Sequence, residues 1–213
     1  MQEIINLLVR KYDPECLILY GSYADGSCNA NSDFDAMLLA DVSEVIHDVS
    51  FVGEVQLDVF VYPADTEICP EDNPQLYHSK VLIDRKGRGT KLCDAVKAYI
   101  DQYVPKSPED MSNDICWCEK MLSRTERGDA EGFYRWHWVL CDSLEFYCNI
   151  RGQFYFGPKK ALRWMQQQDS KAYAIYFAAL QSMEHECLER WVEFLKMNCK
   201  VDTPRTKFYN MQR

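Results

Sequence analysis

Long hydrophobic runs are missing from this chain: no stretch approaches the roughly 20 apolar residues that a membrane span requires. The opening segment, MQEIINLLVRKYDPE, also lacks the basic start and long apolar centre of a signal peptide. A soluble, cytoplasmic protein with no membrane partner is therefore expected. Basic blocks are scarce too. The longest runs only from Arg85 to Arg88, and the formal net charge is −9. Nucleic-acid binders draw most of their affinity from neutralised phosphates, so a nucleic-acid partner is not expected. An acidic surface suits a small or cationic partner better. Metal-clamp spacing is absent as well. None of the ten cysteines forms a C-x-x-C pair, and Cys116-x-Cys118 would point to opposite sides of a helix. His47, His78, His137 and His185 lie far apart, which argues against a zinc site. The cysteines read as reduced thiols, with Cys16 in a strand and Cys187 in a helix acting as small hydrophobes.

What is present is ample material for a core. Of 213 residues, 47% are hydrophobic and 27% charged, enough for one large domain or two small ones. Ile4, Ile5, Leu8 and Tyr12 recur at helical spacing up to Asp13-Pro14. Cys16 to Tyr20 is a short apolar run that reads as a buried strand, stopped by Gly21-Ser22 and followed by a turn-rich segment over 25–32. Asp33 to Ala40 and Val55 to Tyr62 read as two more strands, and residues 80–84 as a fourth. The intervening 63–78 is polar loop with room for a helical turn, and 90–103 reads as a helix.

The texture then changes. Pro105-Lys106-Ser107-Pro108 is linker-like, and Ser107-Pro108-Glu109-Asp110 combines an N-cap serine, a first-turn proline and first-turn acids. Beyond it the pattern is helical. Met111, Ile115, Cys118 and Leu122 share a face closed by Gly128, and Phe133, Trp136, Leu140, Leu144 and Tyr147 mark the next helix. A last long helix is expected to bury Tyr173, Ile175 to Phe177, Leu180, Met183, Cys187, Trp191 and Leu195. The expected fold class is α+β: an α/β domain with a small mixed sheet over 1–104, then an all-α bundle over 105–213.

The segment that carries chemistry is Gly21-Ser22, ten residues, then Asp33-Phe34-Asp35, with Asp58 on the next predicted strand. Residues i and i+2 of a strand face one side, so Asp33 and Asp35 present two carboxylates together. Asp58 interrupts an apolar strand and shares a face with Gln56 and Phe60. Three unpaired anions at close quarters would repel one another and be costly to bury. A hard divalent cation removes the repulsion, and Mg²⁺ is commonly held by one or two carboxylates plus substrate phosphates. Two such ions can stabilise both the attacking and the leaving oxygen of a phosphoryl transfer. Gly21 would let backbone approach a phosphate, and the Ser22 hydroxyl could grip it.

This spaced pattern, confined to residues 16 to 62, resembles that of the DNA-polymerase-β-type nucleotidyltransferase superfamily. A minimal catalytic domain followed by a helical bundle is closest in layout to the small aminoglycoside and lincosamide nucleotidyltransferases. The resemblance implies an EC 2.7.7-type enzyme. It implies Mg²⁺, in two ions, held by Asp33, Asp35 and Asp58, an NTP such as ATP bound at Gly21 and Ser22, and a small-molecule acceptor. It also implies an antibiotic-resistance role. Asp58 or an acid of the helical half, Glu145 or Asp142, would be the general base for the acceptor hydroxyl. The run from Asn149 to Lys160 is loosely similar to a segment of those helical domains. Lys159 or Lys160 would then reach the triphosphate, against a plain basic helix start in solvent. Trp138, Asp142, Glu145 and Asn149 form a polar stripe beside the apolar one. Two other functions fit the same residues: a protein-modifying transferase of a toxin–antitoxin type pair, and a non-catalytic nucleotide- or protein-binding module. A homodimer is compatible with the sequence.

Overall fold

The computed structural model describes residues 1–199, which form two compact units, Met1–Gln102 and the described residues from Tyr103 on. In the first unit the elements follow the order α1 (Gln2–Tyr12), β1 (Cys16–Leu19), α2 (Gly21–Asp25), β2 (Phe34–Ala40), β3 (Ile46–Asp48), β4 (Phe51–Val52), β5 (Val55–Pro63), a 3₁₀ turn (Pro74–His78), β6 (Lys80–Asp84) and α3 (Arg88–Asp101). Helix α1 offers Ile4 and Leu8, one turn apart, to the core and ends where Asp13 turns left-handed at φ 40°.

The strands form one mixed sheet in the order β3-β5-β2-β1-β6, with β4 also paired to β5. Strands β2 and β5 run parallel, so the chain must leave the sheet edge and return between them. Strands β3 and β4, which the sequence reading did not foresee, lie within that excursion and pair antiparallel to β5. Alternation then sorts the side chains. Phe34, Ala36, Leu38 and Ala40 of β2 and Leu57, Val59 and Val61 of β5 meet Leu17, Leu19, Ile4 and Leu8 in one core. Asp35 and Asp58 turn to the other face. On β5, whose other face is partly exposed, that burial pins the register, because a one-residue slip would expose Leu57, Val59 and Val61 and bury a carboxylate. Each large side chain so exposed would cost about 1.5–3 kcal/mol.

Helix α3 closes on β1 at Gly89, where a Cβ would stand 2.5 Å from the Cys16 Sγ. The Asp84 carboxylate anchors its first turn by accepting from Gly89 N, Thr90 N and the Thr90 hydroxyl.

The second unit is helical: α4 (Pro108–Thr125), α5 (Ala130–Ile150), α6 (Pro158–Gln168), α7 (Ser170–Gln181) and α8 (His185–Asn198). The Ser107 hydroxyl caps α4 as expected, accepting from Asp110 N at 3.1 Å, and Asp129 and Asp169 cap α5 and α7 in the same way. Trp191, Tyr147, Leu144, Leu188 and Val139 form the centre of its core. Two buried polar groups there are satisfied across the bundle: Trp191 Nε1 donates to Ser143 Oγ at 2.9 Å and the Tyr176 hydroxyl to the Leu140 carbonyl at 2.7 Å.

The single last helix expected from the sequence is two. Ser182 is extended (φ −124°, ψ 135°) and its hydroxyl accepts from Glu184 N, a local bond that competes with helix continuation. Phe177, Leu180 and Met183 consequently stand 41%, 46% and 46% exposed instead of lining the core, while Leu188, Trp191 and Leu195 are buried. Helix α6 also exceeds the basic helix start read at Lys159. The architecture is α+β: a small mixed sheet with helices, then helices alone. Among the described residues, no helix is long and apolar enough to cross a membrane, and no disulfide joins any cysteine pair.

Candidate active site

The site is built on the sheet face opposite the α1 core, where β2 and β5 run side by side. Their parallel register sets Asp35 directly beside Asp58. Neighbouring strands lie about 4.8 Å apart, so two carboxylates emerge on one face within reach of a common ligand. Both residues are partly exposed. Asp33 precedes β2 by one residue and is exposed, so the strand rule that places i and i+2 together does not bind its side chain. Among the described residues, no three His, Cys, Asp or Glu side chains stand grouped to hold a metal ion.

Gly21 presses on Asp35. Its φ is +65°, in the left-handed region, and a Cβ there would stand 2.7 Å from the Asp35 Cγ and closer still to Oδ2. Tyr20 N donates to the Asp35 carbonyl at 3.1 Å, tying the β1 exit to the strand that carries the acid. Ser22, the second residue of the five-residue α2, is buried at 8% exposure. Tyr20, at the exit of β1, is buried and feels the charge of both acids. Burial pushes its hydroxyl well above the usual phenol range, and the negative charges of Asp58 and Asp35 push it further, so it stays a neutral phenol.

One contact of the site escaped the sequence reading. His47, on the edge strand β3, pairs with Phe60 across the ladder and stacks on it at 4.1 Å with planes 7° apart. Its Nε2 lies 2.6 Å from Asp58 Oδ1. Phe60 in turn stacks on Tyr62 at 6.4 Å, so an aromatic row continues along the acid-bearing face of β5. Alternation in Val55 to Tyr62 signals Phe60 and Tyr62. No local pattern signals His47, because it reaches Asp58 only through strand pairing.

The donor set fits a hard cation: two adjacent carboxylates match what Mg²⁺ takes from protein, the remaining positions going to water and phosphate oxygens.

The other predicted residues belong to the second unit. Glu145 is exposed on α5 and Asp142 half-buried there. Lys159 and Lys160 stand in the first turn of α6, with Lys160 Nζ 5.2 Å from the centroid of the Phe156 ring. The polar stripe through Asn149 is not uniformly polar surface. Asn149 is buried and accepts from the Tyr103 hydroxyl at 2.6 Å and from Lys106 N at 3.2 Å, pinning the segment before α4. Trp138 packs edge-on against Trp117 at 5.2 Å.

No known family model and no curated protein matches the sequence. Among solved structures, a nucleotidyltransferase-like protein from Exiguobacterium sibiricum 255-15 is similar to this chain with a TM-score of 0.45 and 10% identity, covering 93% of this chain and 72% of that one.

Proposed function

We propose that this protein is a Mg²⁺-dependent nucleotidyltransferase that moves a nucleoside monophosphate from an NTP to a hydroxyl of a small-molecule acceptor. The observation that carries the reading is the register of β2 on β5. It sets Asp35 beside Asp58, with the left-handed Gly21 against Asp35. Asp35 and Asp58, with Asp33 at the strand entrance, would hold the metal, which when bound neutralises charge on the polyphosphate. Gly21, without a side chain, lets backbone amides come close to phosphate oxygens. The acceptor oxygen attacks the α-phosphorus, the α–β bridging P–O bond breaks, and pyrophosphate leaves with the electron pair of that bond. The acceptor proton passes to a carboxylate, for which Asp58 is the candidate in this unit.

Aminoglycosides and lincosamides are the acceptor classes to test first, since polyhydroxylated cations suit a chain of net charge −9. The experiment is pyrophosphate release with each NTP, Mg²⁺ and an acceptor panel, on the unaltered protein and on Asp33→Asn, Asp35→Asn and Asp58→Asn. The reading expects acceptor-dependent release that Asp35→Asn and Asp58→Asn abolish. Turnover retained in both variants would overturn it.

A further inference from the structure

The chemistry above gives no role to the residue bound most directly to one of its acids. Resting on that reading, we propose that His47 is a positioning residue: it fixes one oxygen of Asp58 so that the other faces a divalent cation. An ionised carboxylate can only accept, so the proton in the 2.6 Å contact sits on the imidazole, and Nε2 donates to Asp58 Oδ1. The imidazole is itself held. Strand β3 sets His47 opposite Phe60 in the antiparallel ladder, and the two rings stack almost parallel. Asp58 lies two residues before Phe60 on the same face of β5, so the histidine reaches it along the ladder diagonal.

Both side chains are close to half-exposed, at 47% for His47 and 42% for Asp58. A half-exposed side-chain contact of this kind contributes little to stability, so the arrangement is not explained by folding. Its consequence is geometric. An aspartate free to rotate would lose that freedom on binding a cation, and His47 removes that freedom in advance. Partners that orient a ligating side chain typically alter metal affinity by about 10–100-fold when lost.

The test separates the hydrogen bond from the ring. His47→Phe keeps a ring to stack on Phe60 but has no donor. His47→Gln places an amide N–H at a similar distance from the backbone without the ring. His47→Ala is a second loss variant. Mn²⁺, the probe, is titrated against the full chain with free ion read by electron paramagnetic resonance, and urea midpoints are measured in parallel. The expected result is binding to the unaltered protein and affinity about 10-fold weaker in His47→Phe and His47→Ala. Affinity should return to within about threefold in His47→Gln, with all midpoints alike. Unchanged affinity in His47→Phe overturns the proposal, as does equal weakening in His47→Phe and His47→Gln. Asp35→Asn distinguishes the two levels. If it loses Mn²⁺ while His47→Phe does not, only the role of His47 falls; if the unaltered protein binds none, the metal–nucleotide reading falls with it.

Discussion

Replacing Gly21 with alanine tests whether the candidate site is as tightly built as its geometry implies. Two costs combine. An L residue in the left-handed region is strained by about 1–2 kcal/mol, and the φ of +65° puts alanine there. The new Cβ would also stand 2.7 Å from the Asp35 Cγ, and such overpacking costs about 1–3 kcal/mol. The expected loss is therefore about 2–5 kcal/mol. Gly26 is the natural control: its φ is +78°, yet a Cβ there meets nothing within 4 Å. Gly26→Ala should carry the strain alone, about 1–2 kcal/mol. All five tryptophans lie in the second unit, so indole fluorescence does not read the fold around Gly21. Native-state hydrogen exchange of peptides from β1 and β2 does, with the slowest amides giving the unfolding free energy. Adding Asp35→Ala to Gly21→Ala removes the clashing carboxylate, and the double-mutant cycle should show a coupling of about 1–3 kcal/mol. If Gly21→Ala costs no more than Gly26→Ala, or the cycle shows no coupling, the contact between Gly21 and Asp35 does not exist in solution.

Two further outcomes follow from groups away from the site. Asp48 is buried and accepts from Lys11 Nζ at 2.8 Å, the Tyr12 hydroxyl at 2.8 Å, and Ser50 N and Oγ. Burial pushes its carboxyl up, but the hydrogen bonds from Lys11, Ser50 and Tyr12 together outweigh it and hold the folded value far below the usual range. A depressed carboxylate stabilises the fold above its unfolded value of about 3.9, and that contribution is lost as pH falls toward the folded value. Urea unfolding of the first unit should therefore weaken below about pH 4, and Asp48→Asn should flatten this dependence. An unchanged pH slope in Asp48→Asn would contradict the assignment. Thiol labelling at pH 8 should modify the exposed Cys28, Cys69, Cys116 and Cys141 fastest. Burial pushes Cys16, Cys118 and Cys148 up to about 12, and mass spectrometry should find them unlabelled until urea is added.

The elements built on local periodicity were legible: α1 from the spacing of Ile4 and Leu8, β2 and β5 from alternation, α4 from its Ser107-Pro108 start. The side on which Asp35 and Asp58 emerge was legible for the same reason, since period two assigns faces without knowledge of partners. Strand β3 was not. Ile46-His47-Asp48 is too short to alternate visibly, and a buried aspartate reads as surface until Lys11 and Tyr12, some 36 positions away, are seen to satisfy it. The break between α7 and α8 was also hidden, because two helices of similar phase mimic one stripe until the three non-helical residues Ser182, Met183 and Glu184 are resolved.

What the chain dictates by itself is which residues can carry chemistry: a glycine that must turn left-handed, and acids spaced so that a strand presents them outward. Which of those acids stand together is a matter of strand pairing, as is the imidazole that grips one of them. Pairing depends on contacts between segments distant in sequence, where the hydrophobic cost of a slipped register outweighs any local preference. For that reason Asp58 and His47, 11 positions apart and on different strands, meet only in the folded sheet.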